Sequence, residues 1–195
     1  MTPPAATHNP ALPVSIRHPV ASDEREFTTL RRESRDHLEQ WEPIPSPGHS
    51  AFTADDFELF LSSAQSEQRR RFLVVRNSDQ RIVGQCSLGG IIRGPLQQAF
   101  LGYWIALPFA RQGFATQAIQ LILSYAFAEL LLHRVEANVQ PHNVPSIRTV
   151  LRVGFRQEGF SPAYLQIAGR WADHNRYAII ADEFWARYPH LAPKP

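Results

Sequence analysis

Residues 101–130, LGYWIALPFARQGFATQAIQLILSYAFAEL, join an apolar run to a long apolar-periodic segment through the turn PFARQGFAT. The first part has the composition of a buried strand and the last the period of a helix. A strand entering a helix through a Gly-containing turn aims several backbone N–H groups at one point, and Arg111 sits beside them. The turn is read as an anion cradle. It lacks the Gly-Lys-Ser/Thr ending of a nucleotide-binding P-loop, so the phosphates it holds belong to another kind of ligand.

On the N-terminal side, RFLVVRN, RIVGQCSLGGIIRG and QAFLGYWIA read as three strands in a meander, with SDQ as its first turn. Further upstream, VSIRHPV reads as a strand and ASDEREFTTLRRESRDHLEQW as a helix opened by Ser22 or Asp23. WEPIPSPGHS is a rigid, proline-punctuated loop, and AFTADDFELFLSSAQSEQRR a second helix with a Thr53-x-x-Asp56 capping arrangement. Downstream of a helix from about 114 to 131, HRVEANVQ reads as a strand and VPSIRTVLRVG as a short helix. FRQEGF is then a strand, and YLQIAGRWADHNRYAIIADEF a hairpin turning near Ala168 and Gly169. This order describes a mixed α/β sheet with helices on both faces. One domain, residues 14–187, is expected between proline-rich tails at 1–13 and 188–195.

Composition narrows the function. The formal net charge is +2 and the only basic cluster is Arg69, Arg70 and Arg71, too little for sequence-independent binding of nucleic acid. The single cysteine, Cys86, excludes an intrachain disulfide, fits a reducing compartment, and sits in a strand pattern as a buried thiol. No signal peptide and no apolar run of about 20 residues is visible, so a cytoplasmic protein away from membranes is expected. His133, His142 and His174 lack metal spacing with nearby Cys, Asp or Glu, and no metal is expected.

The block LGYWIALPFARQGFATQAI, followed at a set distance by ANVQPHNVPSIRTVLRVGF, resembles the coenzyme A-binding core of the GNAT N-acetyltransferases. HLEQWEP, IIRGPLQQAFLGY and YLQIAGRWADH extend the resemblance to the RimJ/RimL branch of ribosomal-protein alanine N-acetyltransferases, over roughly residues 14–185. It implies the GNAT fold: an α/β architecture with a mostly antiparallel sheet of about seven strands, splayed between the fourth and fifth, and helices on both faces. It also implies acetyl-CoA as the donor, with its pyrophosphate on Arg111, Gln112, Gly113, Phe114, Ala115 and Thr116. Ala110 departs from the family's Q/R at the first cradle position, which moves the burden to backbone donors and Arg111. The pantetheine arm is expected as a pseudo-strand against Trp104 and Ile105, with Asn143 and Ser146 at the open end of the slot.

Many members carry a tyrosine seven residues beyond that asparagine as the acid for the leaving thiolate. Position 150 here is valine, so Ser146 is the candidate, with solvent as the alternative. Glu42 and Glu136 are the carboxylates near the substrate side, and Glu42 is the candidate base. Trp41, Glu42, Tyr103, Tyr164 and Trp171, with Asp173 and His174, are expected to wall the acceptor site. The implied reaction is direct attack of an amine on the thioester. The acceptor is a protein N-terminal α-amine, with alanine of a small-subunit ribosomal protein as the first candidate. A small amine such as an antibiotic or polyamine, and a non-catalytic acetyl-CoA-binding ribosome-assembly module, stay open. Ribosome association and a homodimer also stay open.

Overall fold

The computed structural model describes residues 12–43 and 53–192. The expected tails at 1–11 and 193–195, and most of the WEPIPSPGHS loop, lie outside the described residues. The chain runs β1 (Val14–Arg17), α1 (Glu24–Glu33), α2 (Arg35–Leu38), α3 (Ala54–Ser62), β2 (Gln65–Ser66), β3 (Arg69–Arg76), β4 (Ile82–Ile92) and β5 (Gln98–Ile105). It continues through α4 (Phe114–Ala128), β6 (Arg134–Val139), α5 (Val144–Val153), β7 (Arg156–Ile167), β8 (Arg170–Ile180) and α6 (Ala181–Arg187). The strands form one sheet in the order β1-β3-β4-β5-β6-β8-β7, with the two-residue β2 beside β3. All pairings are antiparallel except β5 with β6.

Alternation along the strands sorts side chains onto two faces. Phe72, Cys86 and Tyr103 form one cross-strand row, and Phe72 meets Tyr125 of α4 edge-on at 4.9 Å. Leu73, Gln85 and Trp104 form the neighbouring row on the opposite face, where Trp104 packs on Phe27 of α1 and Phe27 stacks on Phe60 of α3 at 4.8 Å. Helices therefore cover both faces. Cys86 is fully buried, which pushes its thiol pKa far up and leaves it inert.

Three local expectations change. The first helix is broken at Ser34, whose buried hydroxyl accepts the Leu107 N–H at 3.1 Å and ties α1 to the turn before α4. The second helix stops at Ser62. Its capping box forms as read, with Thr53 N–H donating to Asp56 at 3.0 Å, but AQSEQRR turns into β2 and the start of β3 because Arg69–Arg71 pair with Ser87–Gly89. The end of the expected hairpin is helical from Ala181, with Glu183 accepting the Ile180 N–H at 3.1 Å. Beyond it, the Tyr188 hydroxyl donates to the Val153 carbonyl and Leu191 packs on the core, so residues 188–191 are tied to the domain.

His18, just after β1, donates from Nδ1 to the Arg71 carbonyl at 2.9 Å, stacks on Phe72 at 4.3 Å, and buries Nε2 without a partner. Burial lowers its pKa, and the nearby Arg70 adds to the effect. The unfolded chain then takes up protons first as pH falls through about 6.5, so this site costs stability on acidification. The expected result is a drop in Tm between pH 7 and pH 5 that is smaller in His18→Gln. An equal drop in both proteins would show that His18 does not set it.

Candidate active site

The ladder between β5 and β6 covers only Gln98–Phe100 against Arg134–Glu136. Past Phe100 the strands part, and among the described residues no strand pairs with the edge of β5 that faces away from β4 from Leu101 to Ile105. Across from Ile105, a Cβ at Gly84 would come 2.2 Å from the Trp104 carbonyl oxygen, so only glycine lets the end of β5 press onto β4 as it leaves β6. An extended ligand can add to that open edge by backbone hydrogen bonds.

At the end of β5 the chain makes a turn at Leu107–Phe109 and then enters α4. Arg111 has φ +63 and Gly113, the N-cap of α4, φ +85. None of the N–H groups of residues 111–116 finds an acceptor among the described residues. Backbone donors at the positive end of a helix suit an anion such as a pyrophosphate. The Gln112 side chain folds back to the Pro108 carbonyl at 3.2 Å, and Phe114 is buried in the core.

Beside the slot lies a cavity of about 700 Å³. Trp41, Glu42, Tyr103, Trp104, Asn143 and Ser146, six of the residues singled out from sequence, line it. Asn143 caps α5, its side-chain oxygen accepting the Ser146 N–H at 3.1 Å. The Ser146 hydroxyl lies 2.7 Å from that of Tyr103. Burial pushes the Tyr103 pKa up to about 12, partly offset by hydrogen bonds to Ser146 and Thr149. Trp104 donates from its indole to Gln85 at 3.2 Å, and its ring lies 5.1 Å beneath the Arg31 guanidinium.

Both candidate carboxylate bases are engaged. Glu42 takes a bidentate pair from Arg31 at 2.7 and 2.8 Å, and buried Glu136 is held by Arg134 and Arg176 at 3.0 Å each. Tyr164 sits one layer behind the wall, touching Asn138 at 3.4 Å and His174 edge-on, and both of these line the cavity. Trp171 is 67 % exposed near the hairpin turn and is not among the lining residues. Asp173 is used locally, accepting the Ala163 N–H at 2.8 Å. The hairpin turn is tied to the cavity wall, the Ala168 N–H donating to the Glu42 carbonyl at 3.2 Å, and Trp41 of that wall packs on His142 at 5.1 Å.

Arg31, Arg71, Gln85 and Asn138 line the same space and were missed in the sequence. For Arg71, Gln85 and Asn138 the available signal was a polar residue within an otherwise apolar strand, whereas Arg31 lies on α1. Among the described residues, no three His, Cys, Asp or Glu side chains cluster as metal ligands, and no helix is long and apolar enough to cross a membrane.

Residues 14–156 match the model of the acetyltransferase (GNAT) domain. The chain belongs to the GNAT acetyltransferase family. This family draws acetyl from acetyl-CoA, and the protein is an N-acetyltransferase of that type. It is 28% identical over 154 residues to the [ribosomal protein uS5]-alanine N-acetyltransferase of Escherichia coli, covering 78% of this chain and 79% of that one. RimJ of Mycobacterium smegmatis, solved in complex with CoA-disulfide, superposes with a TM-score of 0.81 at 31% identity, covering 91% of this chain and 88% of that one. The spermidine N-acetyltransferase of Vibrio cholerae, solved with CoA and spermine, superposes at 0.73 and 25% identity, covering 88% and 98%.

Proposed function

We propose that this GNAT enzyme moves acetyl from acetyl-CoA to the α-amine of a protein N-terminus, with an alanine of a small-subunit ribosomal protein as the first acceptor to test. The observation that carries it is the splay of β5 from β6, which opens between the turn at Gly113, whose N–H groups have no acceptor among the described residues, and a cavity of about 700 Å³. Residues 111–116 hold the pyrophosphate, and the open edge at Trp104 and Ile105 aligns the pantetheine arm. A backbone N–H on that edge faces the thioester oxygen as charge develops there. Ser146, backed by Tyr103, donates a hydrogen bond to the departing sulfur.

The engaged carboxylates support an α-amine over a lysine. An α-amine titrates near about 8 and a lysine near about 10.4, so the α-amine reaches its neutral, attacking form without a strong base. With Glu42 locked on Arg31, positioning supplies much of the rate. The likeness to RimJ and to the uS5-alanine enzyme points the same way.

The likeness to the spermidine enzyme favours a polyamine acceptor instead. Against it, Arg69 and Arg71 line the cavity without a carboxylate at ion-pair distance among the described residues, and a polycation meets them at a cost. The test is thiol release from acetyl-CoA across Ala- and Ser-starting peptides, lysine peptides, spermidine and aminoglycosides. The expected order places N-terminal peptides first. Preference for spermidine or an aminoglycoside would overturn the reading.

A further inference from the structure

The far wall of the cavity carries two arginines that form no ion pair among the described residues. Arg71 on β3 stands in one cross-strand row with Ser87 and Gly102, and Arg69 lies two residues along the same face. Both line the cavity. The Arg71 guanidinium lies 5.3 Å over the Phe60 ring, and neither arginine has a carboxylate at ion-pair distance among the described residues. The two carboxylates that share the space are used elsewhere. Glu42 is held by Arg31, and Asp56 accepts from the Thr53 N–H and hydroxyl. Residues 1–11, 44–52 and 193–195 contain no aspartate or glutamate in their sequence, so no acidic side chain from them can complete the pair.

Half-burying an arginine beside another arginine is unfavourable. Burial first, and then Arg69, lower the Arg71 pKa to about 10. A buried charge is ordinarily paired. A carboxylate on the ligand would supply that partner. Arg71 is two strands from the open edge of β5, roughly 10 Å across the sheet. A carboxylate on the second or third residue of an extended peptide spans about that distance from its α-amine.

We infer that the acceptor is a peptide N-terminus with Asp or Glu at its second or third residue, whose carboxylate is bound by Arg71 with Arg69 beside it. This rests on the N-terminal acceptor reading above and narrows it. A guanidinium pair is suited to a carboxylate by its fork of donors, and the exchange of acid for amide in the peptide isolates that contact.

The experiment compares kcat/KM for Ala-Glu and Ala-Gln peptides, and for Ala-Ala-Asp and Ala-Ala-Asn peptides, with wild type, Arg71→Gln, Arg71→Lys and Arg69→Gln. Wild type is expected to prefer the acid over its amide by about tenfold or more, carried by KM and weakened by salt. Arg71→Gln is expected to erase the preference by lowering kcat/KM for the acid peptides about tenfold or more, and Arg71→Lys to keep most of it. Thermal melts confirm that the variants are folded, and Arg69→Gln, at an exposed position, gives a partial loss without a packing change. Equal rates on acid and amide peptides in wild type, or a preference that survives in both Gln variants, would overturn the inference. Turnover of small amines but of no peptide would instead defeat the N-terminal reading, and aspartate against asparagine as acceptors would then still test the arginine pair.

Discussion

Gly113→Val is expected to weaken coenzyme A binding about a hundredfold while leaving a folded protein. Gly113 holds φ +85 at the N-cap of α4, and a Cβ there meets nothing within 4 Å. No clash therefore limits the variant. The cost comes from the backbone, because a β-branched residue in the left-handed region is strained by roughly 1–3 kcal/mol and relaxes by rotating its peptide units. Rotation there turns away the N–H groups of residues 111–116. Loss of two charge-assisted bonds to a pyrophosphate accounts for about that factor in affinity. Gly113→Ala is expected to fall between, and Arg111→Ala to cost less than Gly113→Val, since Arg111 contributes charge while the donors are main-chain. Calorimetric titration with coenzyme A reads all three. Unchanged affinity in a cooperatively melting Gly113→Val protein would remove the pyrophosphate from this turn.

That half of the site was legible because it depends on local backbone. A glycine between a strand and a helix states its own φ, and the asparagine, proline and serine at 143–146 state a helix start. The acceptor half was not. Its wall is assembled from Arg31 on α1, Glu42 in a loop, Arg71 on β3, Gln85 on β4 and Asn138 on β6, residues that no spacing along the chain connects. Trp41 and Glu42 were placed by resemblance, and the bidentate pair from Arg31 that fixes Glu42 was not visible.

The errors in the fold have the same origin. AQSEQRR is rich in good helix formers, but pairing of Arg69–Arg71 with β4 outweighs a propensity of a few tenths of a kcal/mol per residue. The helix that breaks at Ser34 does so for a hydrogen bond to Leu107, 73 residues away. Val150 illustrates the reverse case. The sequence showed that the usual tyrosine of α5 was missing, and only the fold shows a tyrosine arriving at Ser146 from β5 instead.

Tyr103→Phe is expected to lower kcat about tenfold, and Ser146→Ala by ten- to a hundredfold, with little change in KM for acetyl-CoA. The reasoning turns on proton affinities. A thiol of ordinary kind titrates near about 8.5, whereas burial holds the Tyr103 hydroxyl near about 12. Full transfer of the tyrosine proton to the departing thiolate is uphill by some three pH units. Donation of a hydrogen bond is not. Ser146 then stabilises the sulfur as negative charge grows on it, and Tyr103, 2.7 Å away, orients and polarises the serine. Because the two act as one chain, the double variant is expected to be no slower than Ser146→Ala alone. The pH profile tests the high proton affinity on which that distinction rests. Stabilisation by donation gives a kcat with no fall between pH 8 and 10, since Tyr103 keeps its proton throughout. A basic limb in the wild type that disappears in Tyr103→Phe would mean that Tyr103 loses its proton within this range and is acid enough to pass it on, and additive losses in the double variant would mean that the two hydroxyls act separately.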